Sequence, residues 1–255
     1  MAGTIVLTSA RMIIGTVLNA AGIVAGGMVG LTRRKPLKPA TEAFFKVTLG
    51  AFTVFYGLRL TWMSLGGSFL HIAKQIALLL LALILGRLAG RLLRLQKMSN
   101  ALGQAARAHI AAANPADPLR VGKGFQTCAA LFCAAPLGLL GAVQLGLLPD
   151  YVYPLAIKAL MDGLAMVGLA GLLGWGALLS ALPVLALQGS VTLATAQWLK
   201  PFLEAHNLVN ALNAVGGLLV FSVALVILGL KKVELADYLP SLLFAPALAW
   251  VLKAN

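Results

Sequence analysis

Long apolar runs recur along the chain at the length expected of membrane-crossing helices. An α-helix needs roughly 20 apolar residues to cross about 30 Å of hydrocarbon. Eight such runs occupy residues 12–31, 44–64, 70–94, 124–147, 152–173, 177–198, 207–229 and 238–252. The pattern predicts an all-α polytopic membrane protein with about eight transmembrane helices. The first run is longer than the apolar core of a signal peptide, so we expect it to remain as a span.

The connections between the runs differ in charge. Basic residues are concentrated in 32–38, in 95–123 and at Lys231 and Lys232. The positive-inside rule assigns such connections to the cytoplasm. With eight spans, the 95–123 loop is then cytoplasmic and both termini face outward.

Composition narrows the class of protein. The 255 residues are 60% hydrophobic and 11% charged, about half the charged fraction of a soluble domain. The net charge of +13 comes mostly from short loops, and no basic stretch alternates with base-stacking aromatic residues, so we expect no nucleic-acid partner. Cys128 and Cys133 have no histidine or carboxylate nearby. We therefore expect no metal site, and the sequence has no catalytic triad or nucleotide loop that would indicate an enzyme or a cofactor.

Two segments of the chain resemble each other. The stretches "LGAFTVFYGLRL" (49–60) and "VGGLLVFSVALV" (215–226) have identical residues at three aligned positions, beginning with Gly50 and Gly216. Each lies in the second of three spans, and the two triplets begin five spans apart, so they enter the membrane from opposite sides. Such inverted repeats are typical of secondary transporters. Chance similarity between glycine- and leucine-rich helices is the alternative.

The repeat divides the single membrane domain 1–255 into four parts. These are a first repeat over 12–94, the loop 95–123, a central helix pair over 124–173 and a second repeat over 177–252.

The stretch "SALPVLALQGSVTLATAQWL" (180–199), which covers most of the sixth run, contains residues that hydrocarbon does not satisfy. Pro183 lies near its start, and Gln188, Gly189 and Ser190 lie at its centre. Irregular backbone at this depth is stable only where protein or a watery cavity satisfies its polar groups. We interpret the triplet as part of a solute-binding site, together with Asn19 in the middle of the first run. Helix packing through small and amide residues is the alternative.

The fifth run contains two charges at depth. Asp162 lies near the predicted midplane, and Lys158 is four residues earlier on the same helix face. A charge at the bilayer centre costs at least about 2.5–3.5 kcal/mol. The pair either neutralises itself within the core or forms an ion site with Asp162 as the carrier and Lys158 as its counter-ion. Pro136 in the fourth run predicts a bend beside them.

These runs resemble a known family. The motifs "LFCAAPLGLLGAVQLGL", "KALMDG" and "SALPVLALQGS" are similar to those of the bacterial membrane-protein family called domain of unknown function 554 (YqgA-like), and the likeness covers nearly the whole chain. The resemblance implies a multi-span protein of the bacterial inner membrane, with both termini then periplasmic, and supplies no catalytic residues. The recurring elements of that family fall on Phe132, Cys133, Pro136, Lys158, Asp162, Gly163, Gln188, Gly189 and Ser190.

The leading hypothesis is a secondary transporter of a small polar or ionic solute, which alternates access around a midplane site. An ion channel or a non-catalytic structural membrane protein is the alternative. The expected partners are the lipid bilayer and the solute, and a homo-oligomer is left open.

Overall fold

The described part of the chain is built from helices. The computed structural model describes residues 2–32, 38–114 and 119–252, and side chains from Ile13 onward. The basic segment 33–37, residues 115–118 and Lys253 lie outside the described residues. The α-helices are α1 (Ala2–Thr32), α2 (Pro39–Met63), α3 (Phe69–Leu92), α4 (Leu95–Ala111), α5 (Arg120–Cys133), α6 (Pro136–Leu147), α7 (Tyr153–Leu173), α8 (Ala181–Ala194), α9 (Lys200–Ala205), α10 (Val209–Ile227), α11 (Leu235–Tyr238) and α12 (Ser241–Val251).

Six stretches within the described residues are long and apolar enough to cross a membrane. They are Ile13–Thr32, Pro39–Met63, Phe69–Leu92, Tyr153–Leu173, Trp175–Ala205 and Val209–Ile227. A seventh arises if α5 and α6, which meet at a bend of 59°, form one span. The eighth predicted run corresponds to the shorter apolar stretch Leu235–Val251. An all-α polytopic membrane protein is thus confirmed, with six or seven full-length spans where the sequence predicted about eight.

The chain forms two compact units. Unit 1 comprises Met1–Ala43 and Met98–Leu193, and unit 2 comprises Phe44–Lys97 and Ala194–Asn255.

A ladder of small residues joins α1 and α7 in unit 1. Three glycines of α1 at four-residue spacing, Gly22, Gly26 and Gly30, face the α7 backbone at Ala159, Gly163 and Val167, respectively. A methyl group at any of these glycines would overlap backbone atoms of α7. Because the contacts advance in the same direction along both helices, α1 and α7 run parallel. Small residues at this spacing let membrane helices approach closely.

The bend between α5 and α6 lies next to α7. Pro136 is the first residue of α6, where its missing N–H breaks no intrahelical hydrogen bond. Gly138 and Gly141 of α6 face Lys158 and Leu155 of α7, respectively, so the two helices run antiparallel. Apolar side chains including Phe132 of α5 complete the core of unit 1.

The segments on either side of α8 depart from regular α-helical geometry. A 3₁₀ segment, Trp175–Ser180, precedes α8, and a π-helical turn, Thr195–Leu199, follows it. Leu178 packs near Gly27, whereas Gln188 contacts Asn19 earlier on α1. The stretch 178–188 therefore runs antiparallel to α1.

Unit 2 contains two further antiparallel helix pairs. In the first, Gly86 and Gly90 of α3 face Ser241 and Asp237, respectively, so α3 runs against α11 and α12.

The second pair is α2 with α10. Gly57 and Gly217 face each other, while the Thr61 hydroxyl donates a hydrogen bond to the earlier Ala214 carbonyl, at 3.1 Å. Contacts that advance on α2 therefore move back along α10, as antiparallel packing requires.

Candidate functional site

An ion pair is buried in the middle of α7. The Lys158 ammonium donates a hydrogen bond to Asp162 Oδ2 at 2.5 Å. One helical turn separates the two residues, which places them on one face. The side chains are 2% and 10% exposed, respectively. Removing two charges from water costs several kcal/mol per ion, so the pair is stable only with close geometry and further hydrogen bonds.

Two amide side chains extend the pair. Asn19 Nδ2 of α1 donates to Gln188 Oε1 of α8 at 3.1 Å, and the Asn19 side chain lies beside the Asp162 carboxylate. Both amides are buried. We call Asn19, Lys158, Asp162 and Gln188 the polar cluster. Its members come from three helices and lie far apart in sequence.

The start of α6 closes one side of the polar cluster. A methyl group at Gly138 would lie 2.8 Å from Lys158 Cε and 2.9 Å from Gln188 Nε2. Gly138 is therefore the position at which α6 leaves room for both side chains. On α5, the Phe132 ring centroid lies 5.8 Å from the Lys158 ammonium, close enough for a cation–π contact. Because of the bend before Pro136, α5 and α6 both contact Lys158, through Phe132 and Gly138, respectively.

Several buried polar atoms of unit 1 lack a hydrogen-bond partner among the described residues. They are Asn19 Oδ1, both amide atoms of Gln144 and Ser180 Oγ. More than about 90% of buried polar groups in proteins are hydrogen-bonded, so such atoms indicate places for water, an ion or a solute. Asn19 Oδ1 belongs to the polar cluster. Gln144 lies further along α6.

Two residues predicted for the binding site, Gly189 and Ser190, lie elsewhere. Ser190 is exposed, and its hydroxyl donates to the Ala186 carbonyl of its own helix at 2.7 Å. Gly189 lies within regular helix, with open space where a side chain would be. Pro183, which the sequence places near the start of the irregular run, is the third residue of α8 and follows the 3₁₀ segment Trp175–Ser180 directly. The structure therefore joins Asn19, Lys158, Asp162 and Gln188 but neither Gly189 nor Ser190.

Two further residues, Gly138 and Gln144, contribute to this part of unit 1 although no sequence motif indicated them for the site. Gly138 supplies the space beside Lys158, and Gln144 is a fully buried amide in an apolar helix. Gln144 could have been found from the sequence, because it is an isolated glutamine in the apolar stretch "GAVQLG". The role of Gly138 depends on a contact with α7 that the sequence does not specify.

The polar cluster offers both charge and hydrogen bonds. Its amides can donate to and accept from a polar solute, and its carboxylate can bind a cation or a proton in place of the Lys158 ammonium. Across the residues that the structure describes, no group of three or more His, Cys, Asp and Glu side chains is arranged to hold a metal.

Comparison with known proteins identifies the family. A family model described as "Protein of unknown function (DUF554)" matches residues 14–250. The chain is 30% identical over 240 residues to "Uncharacterized membrane protein YdfK" of Bacillus subtilis (strain 168), covering 94% of this chain and 97% of that one. It is 31% identical over 247 residues to "Uncharacterized protein YqgA" of Escherichia coli (strain K12), covering 94% and 98%, respectively. No solved structure shows a significant match. The resemblance predicted from the sequence is confirmed, and the chain is a polytopic helical membrane protein that belongs to the DUF554 family.

Proposed function

We propose that this protein is a secondary transporter of a small polar or ionic solute in the bacterial inner membrane. The observation that supports this most is the buried Lys158–Asp162 pair in the middle of a spanning helix, joined by Asn19 and Gln188. Ionisable residues at membrane depth are energetically costly and usually mark a solute or ion pathway.

In this proposal, Asp162 is the coupling site. A proton or cation that binds its carboxylate competes with the Lys158 ammonium, which now lies 2.5 Å away. The unpartnered Asn19 oxygen and the Gln188 amide provide hydrogen bonds for the polar groups of the solute. Binding of the ion therefore changes the charge beside the solute, which links the two events.

Helix packing within each unit supports an inverted repeat. The proposed first repeat contains α1, α2 and α3, and the second contains α8, α10 and α11–α12. The corresponding pairs are α1 with α8, α2 with α10 and α3 with α11–α12, and each pair packs antiparallel. Equivalent helices of an inverted repeat run in opposite directions, so this packing is the expected one. Each triplet also has its first helix in unit 1 and the other two in unit 2. Movement of one repeat against the other is the expected route to alternating access.

The proposed orientation places both termini in the periplasm and the 95–123 loop in the cytoplasm. Both termini lie on one side only if the chain crosses the membrane an even number of times. Leu235–Val251 must therefore form the eighth crossing, although it is shorter than the other spans. A reporter fused after Asn255 tests this orientation. Activity of a periplasm-dependent reporter supports it, and activity of a cytoplasm-dependent reporter alone contradicts it.

Reconstitution into proteoliposomes tests the function. Uptake of labelled small amino acids and carboxylates is measured together with membrane current, with and without an imposed proton or sodium gradient. A transporter gives gradient-dependent solute uptake that is lost in Asp162→Asn and retained in Ser190→Ala. Steady current without solute would identify a channel instead. Absence of any solute- or ion-dependent flux in well-folded wild-type protein, across the same panel, would favour a structural role.

A further inference from the structure

Unit 2 contains a second charged site, separate from the polar cluster. A cavity of about 490 Å³ is lined by Arg87, Lys231, Lys232 and Glu234, among other residues. Its volume falls within the range of about 300–1,000 Å³ that is usual for small-molecule sites. The lining therefore has three cationic side chains and one carboxylate.

The cations of this cavity exceed what the carboxylate neutralises. Glu234 Oε2 accepts hydrogen bonds from Arg87 at 3.2 Å and from Arg91 at 3.3 Å. Arg87 Nε is buried and has no partner among the described residues. Lys231 and Lys232 are exposed, and neither forms an ion pair within 4.0 Å with any residue that the structure describes. Positive charge and hydrogen-bond donors are thus left for an anion.

Much of the remaining lining of the cavity is apolar, and we call its leucines the leucine wall. It includes Leu83 of α3 and Leu218 and Leu225 of α10, and both helices are candidate membrane spans. Leu225 lies in the last turn of α10, and Leu83 and Leu218 each lie nine residues before the end of their helix. The two lysines follow α10 after the short turn 228–230. The cavity thus changes from apolar to cationic where the spans end, which is the depth of lipid headgroups.

We propose that this cavity binds the phosphate headgroup of an anionic phospholipid, with its acyl chains along the leucine wall. Basic pockets between helices at a membrane surface bind such headgroups. A soluble anion needs only the cationic wall, whereas a lipid uses both walls and reaches the cavity from the bilayer. Because none of the residues belongs to the polar cluster, the assignment does not depend on the proposed transport function.

The full chain in neutral detergent, titrated with short-chain phosphatidylglycerol, tests the assignment. The readout is the thermal unfolding midpoint, and the comparisons are phosphatidylcholine with the same acyl chains and inorganic phosphate. We expect phosphatidylglycerol to raise the midpoint saturably and the other two to have little effect. Lys231→Gln/Lys232→Gln should weaken this response by about fivefold per lysine, or roughly 25-fold for the pair.

A matched control separates the cavity from general surface charge. Lys46→Gln/Lys97→Gln removes the same two charges from exposed positions of unit 2 outside the cavity, and it should keep the wild-type response. Equal responses to phosphatidylglycerol and phosphatidylcholine would overturn the assignment, since filling by acyl chains would explain both. If inorganic phosphate raises the unfolding midpoint as much as phosphatidylglycerol does, the cavity binds a free anion and not a lipid. If both double variants weaken the phosphatidylglycerol response equally, the lipid does not bind in this cavity.

Discussion

The two charged sites contain the same kinds of groups in opposite surroundings. In unit 1, Lys158 and Asp162 form an ion pair with side chains 2% and 10% exposed. In unit 2, Arg87 and Glu234 form one with side chains 40% and 47% exposed. Water screens the exposed pair, which contributes little to stability, whereas burial makes each charge of the first pair depend on its partner. The buried pair is therefore the better candidate for a site that responds to one ion, and the exposed cations are the better candidate for binding from solution or lipid.

The largest expected effect is on the packing that surrounds the buried pair. Gly26→Ala places a methyl group onto the Gly163 backbone of α7, and α1, which also provides Asn19, must move away. We expect a loss of about 3 kcal/mol, at the upper end of overpacking effects. Gly168→Ala makes the same change on α7 in open space and should not destabilise. Comparable unfolding free energies for the two variants in detergent would contradict this account of unit 1.

A second substitution tests the contact between α6 and the polar cluster. Gly138→Ala adds a methyl group 2.8 Å from Lys158 Cε and 2.9 Å from Gln188 Nε2, so it should cost about 1–3 kcal/mol. Gly189→Ala has nothing within 4 Å and should be neutral or stabilising by up to about 1 kcal/mol, because alanine favours the helix. Thermal unfolding of both variants measures the difference, and a stabilising effect of Gly138→Ala would contradict the proposed contact.

The amides of the buried site should affect solute binding. Gln188→Leu removes a buried hydrogen-bonding group and should weaken binding by roughly 1–3 kcal/mol. Ser190→Ala is the matched control on the same helix, because Ser190 is exposed and bonds to Ala186. The half-saturating solute concentration in proteoliposomes measures both. Equal weakening in the two variants would assign the effect to α8 as a whole.

The smallest effect is expected at the exposed ion pair. Hydrogen bonds from Arg87 and then Arg91 lower the pKa of Glu234. Its stabilising contribution is therefore present above the ordinary glutamate pKa and is lost as the pH falls through the lowered value. Wild-type protein should lose slightly more thermal stability than Glu234→Gln between pH 6 and an acidic pH of about 3. A larger loss in Glu234→Gln would contradict this sign.

Features that depend on local sequence were predictable. Apolar run length located the spans, and the four-residue spacing of Lys158 and Asp162 placed them on one face of α7. The four-residue spacing of Gly22, Gly26 and Gly30 likewise indicates a helix-packing face, which the structure places against α7.

Features that depend on helix phase or on distant contacts were not predictable. Gln188 and Ser190 are separated by about 200° around a regular helix, so they share a site only if α8 unwinds at Gly189. The helix stays regular there, and Ser190 therefore points away from Gln188. The contact of Gly138 with Lys158 depends on how α6 packs on α7, which no local pattern encodes.

The central claim is that Asp162 binds the coupling ion instead of only completing the core. The most direct test measures thermal stability and solute-dependent flux together in wild-type protein, Asp162→Asn and Lys158→Met/Asp162→Asn. We predict that Asp162→Asn loses flux while its unfolding free energy falls by well under about 3 kcal/mol, because the introduced amide keeps an oxygen that can accept a hydrogen bond from the Lys158 ammonium. A loss of about 3–5 kcal/mol, as expected when one charge of a buried pair is stranded, with flux retained and stability recovered in the double variant, would contradict the claim.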